Sequence, residues 1–351
     1  MLLLVGTYTI DMNEDAPGRA RGISAFDFSP TTGQLVHRGT VEEVNPSYLW
    51  VDAERKIVYG VRECPADEGA AVYAYRVQRT TGNKIAFESL GSLDLQGDHP
   101  CHLARIENTL LASCYSDGSL HVLGLDEQGV PAHHLQRVQF DCPPPNAHAH
   151  CAAYDAKRHR VFVCDLGCDL LRIFHRHDDG TLEEIPDMAI RFAKDSGPRH
   201  CVVHPSGDHL LVNCEHRGRV SLIDLDREAP TEILNVPSLP QRAVEGASGA
   251  AIRIDRRGKN VYVSERNYSV ISTLRLDVRD EPKLHTRDTY PSGGVRPRDI
   301  AISPDGKWLL SANLKDHSLG VFRIGTGGAL QLNRVVRNVK SPTCLAWLPG
   351  L

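Results

Sequence analysis

A segment of about fifty residues recurs along the chain, and this repeat constrains the fold more than any other feature. Each copy is a short apolar run, often opened by a proline. The copies are NPSYLWV (45–51), HPCHLAR (99–105), HAHCAAY (148–154), GPRHCVV (197–203), GASGAAI (246–252), RPRDIAI (296–302) and SPTCLAW (341–347). Their starts lie 54, 49, 49, 49, 50 and 45 residues apart. A period of this size is typical of repeat architectures that include propellers.

Most copies are followed by further apolar runs. A second run such as HLLVNCEH and a third such as RVSLIDL come after polar turns, and a ragged fourth run such as DDGTLEEI completes the unit. The runs are short, rich in Val, Ile, Leu and aromatic residues, and separated by Gly, Pro and Asp, which is typical of β-strands. The sequence therefore predicts an all-β fold: a seven-bladed β-propeller with four antiparallel strands in each blade.

The two ends of the chain complete the seventh blade. SPTCLAW is an innermost strand without partners at the C-terminal end, and LLLVGTYT, GISAFDF and GQLVHRGTVE supply the three missing strands at the N-terminal end. Pairing of the N- and C-terminal segments closes the ring and leaves no unpaired inner edge. We therefore predict one propeller domain over residues 1–351, although a chain of 351 residues could hold two domains.

Charged residues gather where the innermost strands begin. In an antiparallel blade the second strand ends beside the start of the first, so seven starts and seven ends meet at one mouth of the channel. The residues that these positions place at the mouth are Glu63, Cys101, Tyr115, His150, Asp165, Arg199, Glu215, Glu265, Arg266, Arg298 and Asn313, with His102 as a further candidate. We predict a shared pocket there, with Arg298, His102, Tyr115 and Asp165 as substrate-binding residues.

A purely structural role is the alternative for these arginines, since an arginine at a strand entrance can simply pair with a carboxylate. Several charges in a narrow channel are costly unless something compensates them. Threonine stands at the corresponding position in SPTCLAW, so an arginine is not needed to build the strand. This comparison favours the pocket.

Composition and charge limit the partners. The chain has a formal net charge of −4, 41% hydrophobic and 24% charged residues, which gives no basic excess for binding nucleic acid. The apolar start MLLLVGTYT is too short for a signal peptide or a membrane span. We expect a cytoplasmic protein with no nucleic-acid or membrane partner, present as a monomer or weak homo-oligomer.

The ten cysteines do not indicate a disulfide framework, because they are dispersed and several lie inside apolar runs. We expect reduced, buried thiols. The segment CPPPNAHAHC (142–151) is dense in Cys and His, but its spacing matches no common zinc site. We expect no metal and no cofactor.

Several motifs are similar to those of the lactonase-type seven-bladed propellers, a group that includes cycloisomerase-type 6-phosphogluconolactonases and fungal carboxymuconate-lactonising enzymes. The motifs are VGTYT with NPSYL, HAHC with VFVCDLG, GPRH with HPSG and NCEH, SERN, and RPRDIAISPDGKWLLSANLKDHSLGVFRI. They occur in order through nearly the whole chain.

The resemblance implies catalytic roles for four residues. His150 corresponds to the family's histidine, Arg199 to the arginine of the GPRH element, Glu215 to the acid after the next strand and Arg266 to the basic residue of the SER element. The chain departs from the family in NCEH, where Asn-Glu is frequent, and at Glu265, where Asn or Asp is usual.

The favoured function is metal-free hydrolysis of a sugar lactone, with 6-phosphogluconolactone as the first candidate substrate. His150 or Glu215 would accept a proton from water, Arg199 or Arg266 would stabilise the oxyanion, and Arg298 would hold a phosphate or carboxylate. A muconate-type cycloisomerase acting on an unsaturated di- or tricarboxylate would use the same groups. A non-catalytic propeller scaffold is a third hypothesis, although the Gly-His and Trp-Asp signature of interaction propellers is absent.

Overall fold

Short strands rich in β-branched residues form seven antiparallel sheets in the computed structural model, which describes residues 1–142, 146–240 and 246–351. The innermost strands are β4 (Leu49–Asp52), β8 (Pro100–Ile106), β12 (Ala149–Asp155), β17 (Pro198–Val203), β21 (Gly249–Ile254), β25 (Pro297–Ile302) and β29 (Pro342–Leu348). The second strands are β5 (Ile57–Arg62), β9 (Thr109–Cys114), β13 (Arg160–Asp165), β18 (His209–Cys214), β22 (Asn260–Glu265), β26 (Trp308–Asn313) and β1 (Leu2–Thr7).

The outer half of each blade follows the same order. The third strands are β6 (Ala71–Arg79), β10 (Ser119–Leu125), β14 (Leu170–Arg176), β19 (Arg219–Asp224), β23 (Val270–Asp277), β27 (Ser318–Ile324) and β2 (Gly22–Phe28). The fourth strands are β7 (Ile85–Asp94), β11 (Pro131–Gln139), β15 (Leu182–Glu184) with β16 (Ile190–Arg191), β20 (Thr231–Pro237), β24 (Lys283–Pro291), β28 (Leu330–Arg337) and β3 (Leu35–Glu42).

Helical structure among the described residues is limited to short 3₁₀ turns at Ala66–Glu68, Thr81–Asn83, Pro186–Met188 and Thr326–Gly328. The turn at Pro186–Met188 interrupts the outer strand of the third blade, which explains why that strand is divided into β15 and β16. None of the helical turns in the described ranges has the length and apolar character that crossing a membrane requires.

Pairing between the two ends of the chain closes the ring. Strand β29 pairs antiparallel with β1, and Leu348 lies opposite Leu2. The innermost strands contact one another in succession around the channel, from β4 through β8, β12, β17, β21 and β25 to β29 and back to β4. The predicted seven-bladed propeller, sealed by its terminal segments, is confirmed.

Apolar side chains from adjacent blades form the core between them. Tyr59 on β5, together with Leu103 and Leu110 of the next blade, belongs to one such cluster and is almost fully buried. Each such leucine contributes about 1.5–3 kcal/mol relative to an exposed position. Both faces of a blade are covered by its neighbours, so second strands such as β9 are buried at every position instead of at alternate ones.

A β-bulge near the start of the innermost strands positions the channel side chains. In the fourth blade Pro198 pairs with Cys214 and His200 with Asn213, so Arg199 is one extra residue between two paired ones. The same irregularity leaves an extra residue in three further blades, and the four extra residues are Cys101, His150, Arg199 and Arg298. A bulge turns a side chain out of the regular alternation of the strand, and here it directs chemically active groups toward the mouth.

One pair of cysteines differs from the expectation that all thiols are reduced. Cys142, after β11, and Cys168, in the turn after β13, form a disulfide with Cα atoms 6.3 Å apart. The expectation of reduced thiols is wrong for this pair, because stacking of consecutive blades brings together two residues whose separation of 26 positions carries no signal. The other eight cysteines are free and buried.

Candidate active site

A cavity of about 370 Å³ opens at the mouth where the innermost strands begin, a size suited to a small ligand. We call it the mouth cavity. It is lined by Tyr8, Met12, Asn13, Ala16, Glu63, His99, Cys101, Tyr115, Ser116, His150, Arg199, Glu215, Arg266 and Arg298. Ring geometry therefore brings together all four predicted catalytic residues and two of the four predicted substrate-binding residues, Arg298 and Tyr115.

A simple positional rule describes much of this lining. The bulged residues of four innermost strands supply one group, Cys101, His150, Arg199 and Arg298. The residue that directly follows a second strand supplies the other group, Tyr8, Glu63, Tyr115, Glu215 and Arg266. The blade topology thus places residues up to about two hundred and ninety positions apart in one site.

Glu215 lies between two arginines. Its Oε2 is 3.0 Å from Arg199 Nε, and its Oε1 is 2.6 Å from Arg266 Nη2. Arg199 also donates from Nη1 to the carbonyl oxygen of Ala250 at 2.8 Å. All three side chains are largely buried, so the carboxylate holds both guanidinium groups in fixed orientations.

The surroundings of Glu215 determine its protonation. Burial alone would raise the pKa of its carboxyl, but Arg266 and Arg199 outweigh burial and lower the pKa to about 2. Burial and the charge of Arg266 lower the pKa of Arg199 to about 10. At neutral pH Glu215 is therefore a carboxylate with little tendency to take up a proton, and both arginines are charged.

His150 has the opposite character. Burial, reinforced by the charges of Arg199 and Arg298, holds the pKa of its imidazole well below the ordinary value, so the ring is neutral. Its Nδ1 is buried and has no hydrogen-bond partner in the part of the chain that the structure describes. A neutral imidazole with an unpartnered nitrogen is suited to accept a proton from a reacting molecule.

Arg298 is the cation that lacks a carboxylate partner. Across the described ranges, no carboxylate oxygen lies within 4.0 Å of its guanidinium group, which instead lies over the Tyr8 ring at 5.1 Å. The Tyr8 hydroxyl lies 3.0 and 3.1 Å from the two carboxylate oxygens of Glu63. Three guanidinium groups against the two carboxylates of Glu63 and Glu215 leave the lining with a formal positive charge, which suits an anionic ligand.

Part of the wall comes from the loop between β1 and β2, which the sequence analysis did not single out. Met12, Asn13 and Ala16 of this loop line the mouth cavity. Asp15 fixes the loop on the neighbouring blade, since its carboxylate lies 2.8 Å from Lys315 Nζ and 3.4 Å from Arg296 Nη1. Tyr8 was also missed, although it directly follows a second strand, as Tyr115 and Glu215 do, and the same rule would have found it.

Two predicted substrate-binding residues do not reach the mouth cavity, and the first is Asp165. It is fully buried, its Oδ2 lies 2.9 Å from Arg172 Nε, and its Oδ1 accepts from the backbone N–H of His148 at 3.0 Å. Asp165 is the last residue of β13. The residues that line the cavity in five other blades stand one position later, directly after the second strand, and in this blade that position is Leu166. Side chains alternate along a strand, so a shift of one residue moves the group away from the mouth.

The second is His102, which lies one residue beyond the bulged Cys101. Its ring is buried against Tyr48 at 4.3 Å between ring centroids, and its Nε2 is 3.4 Å from Cys151 Sγ. His102 packs beside the channel below the mouth and is absent from the lining of the mouth cavity.

The role of Asp165 can be tested directly. Asp165→Asn is expected to lower the free energy of unfolding by about 3 kcal/mol, because it leaves the buried Arg172 with only Glu184 as an ionic partner. Urea denaturation measures this loss, and turnover by the folded variant should match that of the wild type. A large fall in turnover with unchanged stability would restore Asp165 to the site.

The Cys- and His-rich segment does not form a metal centre in the residues that are described. Cys142 is in the disulfide, His148 stacks on Tyr115 with ring centroids 4.3 Å apart, and His150 lines the cavity. Residues 143–145 of this segment lie outside the described residues. In the described ranges, no group of three or more His, Cys, Asp or Glu side chains is arranged to hold a metal ion.

Fold and site together define a class: a seven-bladed propeller with a small, cationic cavity at one mouth of its channel. The chain belongs to the family described as Lactonase, 7-bladed beta-propeller, whose model matches residues 2–347. The family resemblance carried by the sequence motifs is thus confirmed.

Curated relatives cover nearly the whole chain. The 6-phosphogluconolactonase of Bacillus subtilis (strain 168) is 26% identical over 98% of this chain and 97% of its own length. The 6-phosphogluconolactonase of Formosa agariphila is 26% identical over 92% of each chain. Because the matches extend over almost the full length of both relatives, the resemblance includes every blade.

Solved structures agree with the fold. A structure from Bacteroides uniformis ATCC 8492 superposes with a TM-score of 0.88 at 26% identity over 98% of both chains. The periplasmic gluconolactonase of Pseudomonas aeruginosa gives a TM-score of 0.88 at 22% identity, over 99% of this chain and all of that one. This last likeness supports the architecture alone.

Proposed function

We propose that this protein hydrolyses a sugar lactone, with 6-phosphogluconolactone as the favoured substrate and the open-chain phosphorylated acid as product. Family membership and the two curated 6-phosphogluconolactonases support hydrolysis over the muconate-type cycloisomerisation. The observation that carries the proposal is the mouth cavity itself. It combines an unpaired arginine, a neutral histidine with a free nitrogen and two arginines held by a carboxylate.

His150 is the base in this mechanism. Water adds to the lactone carbonyl carbon as one of its protons passes to the neutral imidazole of His150. The ring C–O bond then breaks, and the proton passes from His150 to the departing ring oxygen. Both carboxylate oxygens of Glu215 are occupied by arginines, whereas His150 Nδ1 has no hydrogen-bond partner among the described residues. The structure therefore favours His150 between the two candidates.

The two clamped arginines stabilise the developing negative charge. As water adds, the carbonyl oxygen becomes an oxyanion, and Arg199 and Arg266 present guanidinium donors toward the mouth cavity. Glu215 contributes by holding both groups before the substrate arrives, so that little reorganisation is needed during the reaction. Pre-oriented donors of this kind are frequently the largest single contribution to rate.

Arg298 is proposed to bind the phosphate of the substrate. Its guanidinium is held by the Tyr8 ring and has no carboxylate competing for it within 4.0 Å in the described chain. A planar guanidinium can donate two parallel hydrogen bonds to a phosphate. The favoured substrate is accordingly a phosphorylated lactone and not a neutral one.

A substrate comparison tests this assignment. Arg298→Ala should raise the KM for 6-phosphogluconolactone by about 10- to 100-fold, the loss expected for charge-assisted hydrogen bonds, while the KM for unphosphorylated gluconolactone changes little. Rates are corrected for spontaneous hydrolysis, and a muconate is included as a control substrate. The absence of lactone turnover above background would reject the proposed function, and equal effects on both lactones would reject the phosphate role.

The proposal also covers the oligomeric state of the protein and its location in the cell. We propose that the chain acts as one domain, as a monomer or weak homo-oligomer, and that it works in the cytoplasm. The Cys142–Cys168 disulfide is the observation against which the cytoplasmic location has to be tested, because disulfides are rare in a reducing cytoplasm. Fractionation of the source cells together with thiol labelling of the native protein decides the location.

A further inference from the structure

A second, smaller cavity lies directly below the mouth cavity. We call it the inner cavity; its volume is about 10 Å³. Cys101, His150, Arg199 and Arg298 line both cavities, so the two cavities adjoin. Three of these four residues, His150, Arg199 and Arg298, are the ones to which we assign roles in the reaction.

Two short hydroxyl side chains, Ser47 and Thr343, line the inner cavity together with Tyr48. Ser47 precedes β4 and Thr343 is the second residue of β29, so they occupy, in the first and seventh blades, the place that Arg199 takes in the fourth. Strands β4 and β29 are neighbours in the ring, which puts the two hydroxyl-bearing positions on adjacent strands. Short side chains at both positions leave space that an arginine would fill.

Three buried polar atoms of uncharged side chains that line this cavity have no hydrogen-bond partner in the described chain: Ser47 Oγ, Thr343 Oγ1 and His150 Nδ1. Arg199 Nε also makes no hydrogen bond within the described ranges, but it lies 3.0 Å from Glu215 Oε2. Asp299, the carboxylate of the wall, is already engaged. Its two oxygens accept from Arg253 Nη2 at 2.7 Å and from the Leu345 N–H at 2.8 Å. Buried polar atoms in native proteins are nearly always bonded, to protein or to water, so three unpartnered atoms around one small space indicate a bound polar molecule.

We propose that the inner cavity binds one water molecule, and that Ser47 and Thr343 position this water beside His150 as the nucleophile of the lactonase reaction. This inference rests on the proposed function. The volume is about that needed for one water, and a buried water typically makes about three hydrogen bonds, which matches the three unpartnered atoms.

The chemistry is balanced without any further reactant. With His150 in its Nε2–H tautomer, the water donates one proton toward Nδ1 and the other to Thr343 Oγ1, and it accepts from the Ser47 hydroxyl. One lone pair of the water oxygen is then left for the lactone. Its oxygen forms the new bond to the lactone carbonyl carbon as that proton moves to His150 Nδ1. The carbonyl π-electrons move to the oxyanion, which the arginines stabilise. Ser47 and Thr343 contact the water but not the lactone, so they are positioning residues.

Removal of the Thr343 hydroxyl provides the test. Thr343→Val has the same shape without the oxygen, and Thr343→Ser keeps the oxygen. We expect Thr343→Val to lower kcat by about 10- to 100-fold with KM changed by less than about threefold, and Thr343→Ser to retain most of kcat. Ser47→Ala should give a similar split between kcat and KM, whereas loss of substrate contacts would raise KM.

Ser272→Ala is the matched control. Ser272 lies on β23, is buried, and has an unpartnered Oγ as Ser47 does, but it lines neither cavity. Its replacement should leave kcat and KM unchanged. If Ser272→Ala reduces kcat as much as Ser47→Ala does, the effect of Ser47 is structural and the inference is rejected.

A high-resolution crystal structure of the wild type and of Thr343→Val separates the two proposals. Density for a water within hydrogen-bonding distance of Thr343 Oγ1 and Ser47 Oγ, lost in the valine variant, supports the water site. An inner cavity without water in the wild type rejects it even if the enzyme hydrolyses lactones. Wild-type protein that turns over no lactone rejects the nucleophile role together with the proposed function, and the density then decides the binding site by itself.

Discussion

Replacing Glu215 with glutamine is expected to lower kcat for lactone hydrolysis by about 100- to 1,000-fold, the largest effect we predict for a single substitution. The amide keeps the shape of the side chain but removes the charge that holds Arg199 and Arg266 at 3.0 and 2.6 Å. Both guanidinium groups then lose their fixed orientation toward the oxyanion. Steady-state kinetics on 6-phosphogluconolactone measures the loss.

The same substitution should also reduce stability, by about 3 kcal/mol, because it leaves two largely buried positive charges without their shared counter-ion. Urea denaturation of the variant measures this difference. Asp165→Asn is the matched control, since it also neutralises a buried carboxylate paired with an arginine, but outside the mouth cavity. If both variants lose stability but only Glu215→Gln loses turnover, the result supports the proposed role of Glu215 in orienting Arg199 and Arg266. Unchanged kcat in Glu215→Gln would contradict it.

Acidification is expected to destabilise the protein strongly, and two neutral histidines at the channel are one cause. Burial comes first among the effects that hold the pKa of His150 and of His200 well below 6.5, and Arg199 adds to it in both cases. In the unfolded chain each imidazole takes up a proton below about pH 6.5, while the folded state does not. Unfolding is therefore favoured as the pH falls below that value.

The size of this effect follows from proton linkage. Each histidine should reduce the free energy of unfolding by about 2 kcal/mol between pH 7 and pH 5. Glu215 acts in the same direction at lower pH, because its folded pKa of about 2 lies below the ordinary 4.5. Its contribution to stability is present above about pH 4.5 and is lost as the pH falls toward 2.

His200→Gln isolates one histidine. Urea denaturation at pH 7, 6 and 5 should show that this variant loses about 2 kcal/mol less stability on acidification than the wild type does. His175→Gln, which changes an exposed histidine on the third blade, is the control and should retain the wild-type pH dependence. An identical pH dependence in wild type and His200→Gln would show that His200 is protonated in the folded protein as readily as in the unfolded one.

Much of the fold could be predicted because the repeat is expressed in local chemistry. Strand β18 and its counterparts are short apolar runs ended by polar turns, and this pattern does not depend on distant contacts. The pairing of β29 with β1 was also predictable, because a seventh innermost strand without partners requires strands from the other end of the chain. The regular blade topology also predicts that Arg199 lies near Glu215, because the start of β17 and the end of β18 are adjacent.

Asp165 and His102 were predicted to lie at the mouth but do not line the mouth cavity, and in both cases the difference is one residue of strand register. Asp165 and Leu166 are adjacent in sequence, yet only the position after β13 corresponds to the positions that line the mouth. The bulge in β8 turns Cys101 toward the mouth and leaves the next residue, His102, packed against Tyr48. A sequence shows where a strand is, but the alternation at its end depends on the hydrogen-bond register with the next strand.

The number of blades, the closure of the ring and the clustering of arginines and acids at one mouth could all be inferred from the amino-acid sequence alone. These features follow from a periodic pattern of strands and turns, which is local information repeated seven times. The three-dimensional structure was needed to show that Glu215 lies between two arginines and that His150 is neutral, with no hydrogen-bond partner for its Nδ1 among the described residues. It alone joined Cys142 to Cys168 and set Ser47 and Thr343 around one small cavity. Those properties depend on distances of a few ångströms between side chains from different blades and on the burial that the closed ring imposes on them.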